Sequence, residues 1–113
     1  GPYSQAIAVD GWVFVSGQLP LDTAGGNMPA GVAEQTEACI KNLSAILAEV
    51  GLEMKHVVKT TVFMTDLTQF AAMNEVYARH FPAPFPARAT VGVAALPKGA
   101  AVEIEAVAVA PGK

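Results

Sequence analysis

Five stretches of this chain carry the pattern of strands and only two carry that of helices, and this imbalance constrains the fold more than any other feature. Residues 31–50 form the first helical stretch. Val32, Thr36, Cys39, Ile40, Leu43, Ile46, Leu47 and Val50 recur there at three- and four-residue steps, with Glu34, Glu37, Lys41 and Asn42 largely off the stripe. Gly51 stands where a left-handed cap closes a helix. The second helix follows Asp66-Leu67-Thr68-Gln69, which resembles a capping box with a carboxylate in place of Ser/Thr. It runs to about Phe81 and places Phe70, Met73, Tyr77 and Phe81 on one stripe. Three prolines between Phe81 and Pro86 make that segment a loop.

The strands are read from β-rich runs between turn residues. Residues 5–9 and 12–16 flank Asp10-Gly11, a strong hairpin signal. That turn sets Val9 opposite Trp12 and Gln5 opposite Ser16, with Tyr3 diagonal to Ser16 on the same face. Residues 56–65 are apolar on both faces, which predicts that both are covered. Residues 88–95 and 100–109 are read as a final hairpin joined at Leu96-Pro97-Lys98-Gly99. In that pairing Ala95 opposes Ala100, and Arg88, Thr90, Glu103 and Glu105 share one face. The order ββαβαββ describes an α+β domain. Two helices cover one face of such a sheet, so the other face needs a partner, in a dimer or a closed ring.

Composition agrees. Of 113 residues, 52% are apolar and only 15% charged, with a mean hydropathy of +0.38. That is a large apolar surplus for one domain of this size. No run approaches the roughly 20 apolar residues of a membrane span, so the surplus points to a second subunit. The net charge is −3, and the two arginines and five lysines are scattered, so no basic stripe for a nucleic-acid backbone is visible. There is no internal repeat or linker, and residues 1–113 read as one domain. The sequence as given opens with no secretory signal pattern. Cys39 is the only cysteine, which excludes an intrachain disulfide or a multi-cysteine metal site, and a reducing, cytoplasmic compartment is expected.

Familiar catalytic motifs are absent: no phosphate loop, dinucleotide fingerprint, HExxH or CxxC. His56 and His80, at a strand start and a helix end, read as structural or plain surface. Cys39 lies on a buried stripe and reads as inert packing. Gly25-Gly26 reads as a flexible turn. Two features remain. Arg88 follows Pro86-Ala87 at a strand start, either as a surface residue or as a planar fork for a carboxylate. Glu103 and Glu105 alternate in an apolar strand; they either face water, pair with Arg88, or handle a proton or a water with a raised pKa. Tyr3, Ser16, Asn74 and Thr90 are unremarkable by themselves.

Taken together, several segments give the chain a close resemblance to the RidA/YjgF family of enamine/imine deaminases. They are Gly1-Pro2-Tyr3-Ser4-Gln5, Ser16-Gly17-Gln18-Leu19-Pro20-Leu21-Asp22, Glu34-Gln35-Thr36 and Val58-Lys59-Thr60-Thr61-Val62-Phe63. Asn74-Glu75-Val76-Tyr77, Pro86-Ala87-Arg88, Leu96-Pro97-Lys98 and Val102-Glu103-Ile104-Glu105 complete the set. The resemblance implies a chorismate-mutase-like α+β fold, a mixed sheet with two helices on one face, and a homotrimer with active sites in clefts between subunits. It implies that a further strand precedes Gly1-Pro2 in relatives. It assigns Arg88 to the substrate carboxylate and Glu103 to the attacking water, and places Tyr3 and Ser16 in the cleft, Tyr3 from a neighbouring subunit. At Thr90 many relatives have cysteine, and the backbone there contacts ligand. The implied substrates are small 2-imino and 2-enamino acids such as 2-aminoacrylate, hydrolysed to a 2-keto acid and ammonia. No cofactor, metal, membrane or nucleic-acid partner is expected. A ribonuclease or translation inhibitor, and a chaperone-like binding trimer, stand as the alternatives.

Overall fold

The computed structural model describes residues 2–22 and 26–112. Gly1 of the first family segment, Gly25 of the glycine pair and Lys113 lie outside them. Strand β1 (Ala6–Val9) turns at Asp10-Gly11 into β2 (Trp12–Gln18), with Val9 opposite Trp12. Asp10 and Gly11 both have positive φ, 49° and 84°, the left-handed pair of a two-residue hairpin whose twist matches the strands. Beyond the ladder, Ser16 N donates to Gln5 O at 2.9 Å, so the expected 5–16 pairing holds.

Helix α1 (Val32–Glu49) buries Thr36, Cys39, Ile40, Leu43 and Leu47 from the expected stripe. Val50 departs from it: Gly51 N bonds to Ala48 O and Leu52 N to Leu47 O, so the chain reverses and Leu52 is buried while Val50 is 44% exposed. Strand β3 (Val57–Met64) follows. Asp66 then caps a single 3-10 turn, Leu67–Gln69, accepting from Thr68 N at 3.0 Å and the Thr68 hydroxyl at 2.6 Å. The turn feeds α2 (Phe70–His80), which buries Met73, Val76 and Tyr77; Phe81, just past its end, is also buried. Strands β4 (Ala87–Gly92) and β5 (Val102–Val109) complete the chain.

The sheet order is β1-β2-β5-β3-β4, and the final hairpin expected from sequence does not form. β4 lies outside β3 and parallel to it, while β5 inserts between β2 and β3, antiparallel to both. The physical reason is the crossover. A helix between two strands returns the chain in the same direction, so β3-α2-β4 is parallel and uses one edge of β3. The other edge remains for β5, which residues 93–101 reach through a 3-10 turn at Pro97–Gly99. Val93 N bonds to Met64 O and Thr65 N to Ala101 O, tying both ends of this connection to the end of β3.

The faces follow from this register. Val13, Val15, Thr60, Val62, Val102, Ile104, Ala106 and Ala108 are buried on the side covered by both helices. Arg88 pairs with Thr60 and Thr90 with Val62, so both lie on the helix side of β4. Glu103 pairs with Phe63 and Glu105 with Thr61, on the opposite side. Arg88, Thr90, Glu103 and Glu105 therefore do not share a face, contrary to the sequence expectation. The open side carries Ile7, Trp12 and Phe14, 54%, 46% and 46% exposed. The uncovered apolar face is real, and β3 is covered on only one of its two apolar faces.

Candidate active site in two halves

The first half is built around Arg88. The turn of α2 places Phe70, Asn74 and Tyr77 one above another (i, i+4, i+7), and β4 carries Arg88 alongside them. Arg88 Nη1 donates to Asn74 Oδ1 at 2.8 Å. Its guanidinium carbon lies 4.7 Å from the Tyr77 ring centroid and 5.4 Å from that of Phe70. The Tyr77 hydroxyl shares a 2.7 Å hydrogen bond with the buried Thr60 hydroxyl, and its ring stacks on Phe81 at 4.4 Å. Burial pushes the Tyr77 phenol up, against the opposing pulls of Thr60 and Arg88, so it is neutral. Among the described residues no carboxylate lies within ion-pair distance of Arg88. The group opens into a cavity of about 370 Å³ lined by Asn74, Tyr77, Ala78, Phe85, Pro86 and Arg88. This is a half-buried cation on an apolar bed, with donors left for an anion.

The second half lies on the other side of the sheet. Between Val15 and Gln18 the β2–β5 register slips, so Ser16 and Gly17 together oppose Glu105, a β-bulge. The bulge lets the Glu103 carboxylate lie against the Gly17 backbone: a Cβ added at Gly17 would collide with Glu103 Oε2. Ser16 Oγ donates to Ser4 O at 2.6 Å, which holds the segment bearing Tyr3 across the mouth. Buried Gln18 donates from Nε2 to Gln5 Oε1 and Ser16 O, each at 3.0 Å. Tyr3, Gln5, Ser16, Gly17, Gln18, Lys98 and Glu103 are among the residues lining a cavity of about 530 Å³. Desolvation first, and then the nearby Glu105 charge, raise the Glu103 pKa above 4.5. The result is a carboxyl group primed to exchange a proton, beside a phenol and a hydroxyl.

Tyr3, Ser16 and Glu103 are thus brought together, and Arg88 is set apart from them in the same chain. Thr90 joins neither cavity; its hydroxyl is buried on the helix side without a hydrogen-bond partner. Asn74 and Gly17 were invisible as functional residues in the sequence. The usable signal for Asn74 was its spacing on the stripe with Phe70 and Tyr77. The remaining reactive side chains are accounted for structurally. Cys39 is fully buried, its thiol pushed up to about 12, chiefly by burial. His80 Nε2 lies 2.8 Å from Glu37 Oε2, joining α2 to α1, and His56 Nδ1 accepts from Glu53 N. Among the described residues no group of three His, Cys, Asp or Glu side chains is placed to hold a metal ion, and no helix is long and apolar enough to cross a membrane.

Comparison with known proteins bears on this geometry. The sequence model of the family described as Endoribonuclease L-PSP matches residues 1–110. The RutC family protein y4sK of Sinorhizobium fredii is 56% identical over 108 residues, 95% of this chain and 86% of that protein. The 2-iminobutanoate/2-iminopropanoate deaminase of Capra hircus is 49% identical over 110 residues, 96% of this chain and 80% of that one. Among solved structures, Escherichia coli TdcF with bound serine superposes with a TM-score of 0.94 at 43% identity, covering 98% of this chain and 90% of the other.

Proposed function

The chain belongs to the RidA/YjgF family, the family described as Endoribonuclease L-PSP, and from that membership we propose its function: it is an imine deaminase that hydrolyses small 2-imino and 2-enamino acids to 2-keto acids and ammonia. The observation that carries the site assignment is the separation of Arg88 from Glu103 on opposite faces of one sheet. Each is half of a site. The halves act on one substrate when the open apolar faces of neighbouring protomers pack and bring the Arg88 cavity of one against the Tyr3–Ser16–Glu103 cavity of the next. A closed homotrimer of the chorismate-mutase-like kind, with three such clefts, satisfies this and covers Ile7, Trp12 and Phe14 at the same time.

In that cleft Arg88 holds the substrate carboxylate. Asn74 occupies Nη1, which leaves Nε and Nη2 as the edge for two parallel charge-assisted bonds. Thr90, which lines neither cavity within one chain, is given a backbone contact to this anion by the family resemblance alone. Tyr3 and Ser16 hydrogen-bond to the reacting end. An enamine first tautomerises to the imine. Glu103 orients a water and takes its proton as the oxygen adds to the imine carbon. The proton then passes to nitrogen, and the carbinolamine collapses with loss of ammonia. The raised pKa of Glu103 suits both directions of transfer, since a base nearer the working pH also serves better as the returning acid. The imine carbon is already electrophilic, so placement plus acid–base help of roughly 10²–10⁴-fold is sufficient. TdcF, the 43% identical relative, was solved with serine, an amino acid that carries such a carboxylate. A single buried cysteine suits a reducing cytoplasmic compartment. The ribonuclease reading contained in the family's description has no basic track to support it in a chain of net charge −3.

The test is 2-keto acid release from enzymatically generated 2-aminoacrylate by Arg88→Ala and Arg88→Lys. Loss of two charge-assisted hydrogen bonds, at about 1.5–3 kcal/mol each, lowers kcat/KM for Arg88→Ala by about 100-fold or more. Lysine keeps the charge without the fork and recovers only part of it. Unchanged rates in both folded variants refute the assignment.

A further inference from the structure

Arg88 could reach its cavity in many rotamers, and an arginine that must present one edge to an anion gains from having the others removed. We propose that Tyr77 is the positioning residue for the Arg88 guanidinium, acting through the face of its ring; the inference rests on Arg88 being the carboxylate clamp proposed above. Tyr77 is only 4% exposed, and its ring is immobilised at three places. The hydroxyl is bonded to Thr60 at 2.7 Å, the ring is stacked on Phe81 at 4.4 Å, and the backbone belongs to α2. The guanidinium carbon lies 4.7 Å from that fixed ring, within cation–π range, in half-buried surroundings where the attraction exceeds that at an exposed site. Phe70, at the start of α2, makes the corresponding contact at 5.4 Å but is itself 37% exposed and has no hydroxyl to anchor its ring.

The arrangement is directional. Thr60, which anchors Tyr77, is also the β3 residue that pairs with Arg88 on β4. The strand pairing that sets the Arg88 backbone and the hydrogen bond that sets the ring therefore start from the same residue. Any movement of β4 against β3 is shared by clamp and bed. Asn74, one turn before Tyr77, takes up Nη1 and fixes rotation about the remaining axis. The ring face carries the plane of the fork, and the amide carries its orientation within that plane.

The test compares Tyr77→Phe with Tyr77→Leu in the intact assembled protein, using imine hydrolysis and inhibition by 2-ketobutyrate. Both variants lose the Thr60 hydrogen bond, and only leucine loses the ring. A positioning role predicts that Tyr77→Leu raises KM and the 2-ketobutyrate inhibition constant about 3- to 30-fold, the range of a partly desolvated cation–π contact. Its kcat stays within about twofold, since the clamp grips ground and transition state alike. Tyr77→Phe recovers most of that loss. Equal KM values for the two variants overturn the proposal, as does a loss confined to kcat or to melting temperature. If Tyr77→Leu does not fold, phenylalanine and pentafluorophenylalanine at position 77 decide instead. Fluorination reverses the ring quadrupole at nearly constant shape, so KM must rise with it, and an unchanged KM overturns the proposal. Arg88→Lys in the same assay separates the two readings. If it leaves 2-ketobutyrate inhibition intact, the clamp itself is wrong. If it weakens inhibition while the position-77 series does not, only the role of Tyr77 fails.

Discussion

Two inactive variants of this protein should restore each other. Arg88→Ala removes the clamp and leaves the Tyr3–Ser16–Glu103 half intact; Glu103→Gln does the reverse. Arg88 and Glu103 sit on opposite faces of the sheet, on strands separated by β3. If each working cleft draws its arginine from one protomer and its glutamate from the next, mixed assemblies contain intact clefts made of two mutant chains. With random association of the two chains in equal amounts, the arginine is intact in half of the clefts and the glutamate independently in half. Roughly one quarter of wild-type activity returns in the unselected mixture, whatever the size of the closed ring; in a trimer selected to contain both chains one cleft of the three is always intact, so about one third returns. The assay is 2-keto acid release by assemblies co-expressed with two different affinity tags and purified through both, so that every molecule measured is mixed. Each parent alone, and the two parents combined after purification without exchange, provide the baseline. A doubly tagged assembly no more active than its parents refutes the divided site, and with it the opposite-face reasoning.

Three further outcomes follow from the geometry. The acid limb of the kcat/KM profile lies above the ordinary glutamate value of 4.5, because desolvation and then Glu105 raise Glu103; Glu105→Gln removes the second cause and moves the limb to lower pH, and a limb that stays or rises contradicts the assignment of Glu103 as the base. Gly17→Ala pushes the Glu103 carboxylate off the β2 bulge and lowers kcat by roughly 10-fold or more, out of the 10²–10⁴ that a placed base supplies; a crystal structure of the variant with Glu103 unmoved, or an unchanged kcat, refutes the close-approach role. Thr60→Val orphans the buried Tyr77 hydroxyl and destabilises by about 1–3 kcal/mol in denaturant unfolding, whereas the double variant with Tyr77→Phe recovers much of the loss; additive losses would show that the two hydroxyls are not partners.

Much of this was legible in the sequence, and the boundary between what was and what was not is physical. Local rules act through a few neighbouring residues, so they were readable. Asp10-Gly11 dictates a left-handed turn and thereby the 9–12 pairing. The α1 stripe dictates which residues it buries, and Gly51 dictates where it stops. The surplus of apolar strand positions over helical cover already required an uncovered face, and the tertiary structure displays it at Ile7, Trp12 and Phe14. The side of the sheet on which each functional residue lies was decided only by the fold. Alternation within a strand gives parity, but relating the parity of β4 to that of β5 requires knowing which strand lies between them. The crossover through α2 made β4 parallel to β3 and sent β5 to the other edge, placing the arginine under the helices and the glutamate on the open side. Strand order is a non-local choice, settled by which edges remain free once the helices have packed, and no window of sequence contains it.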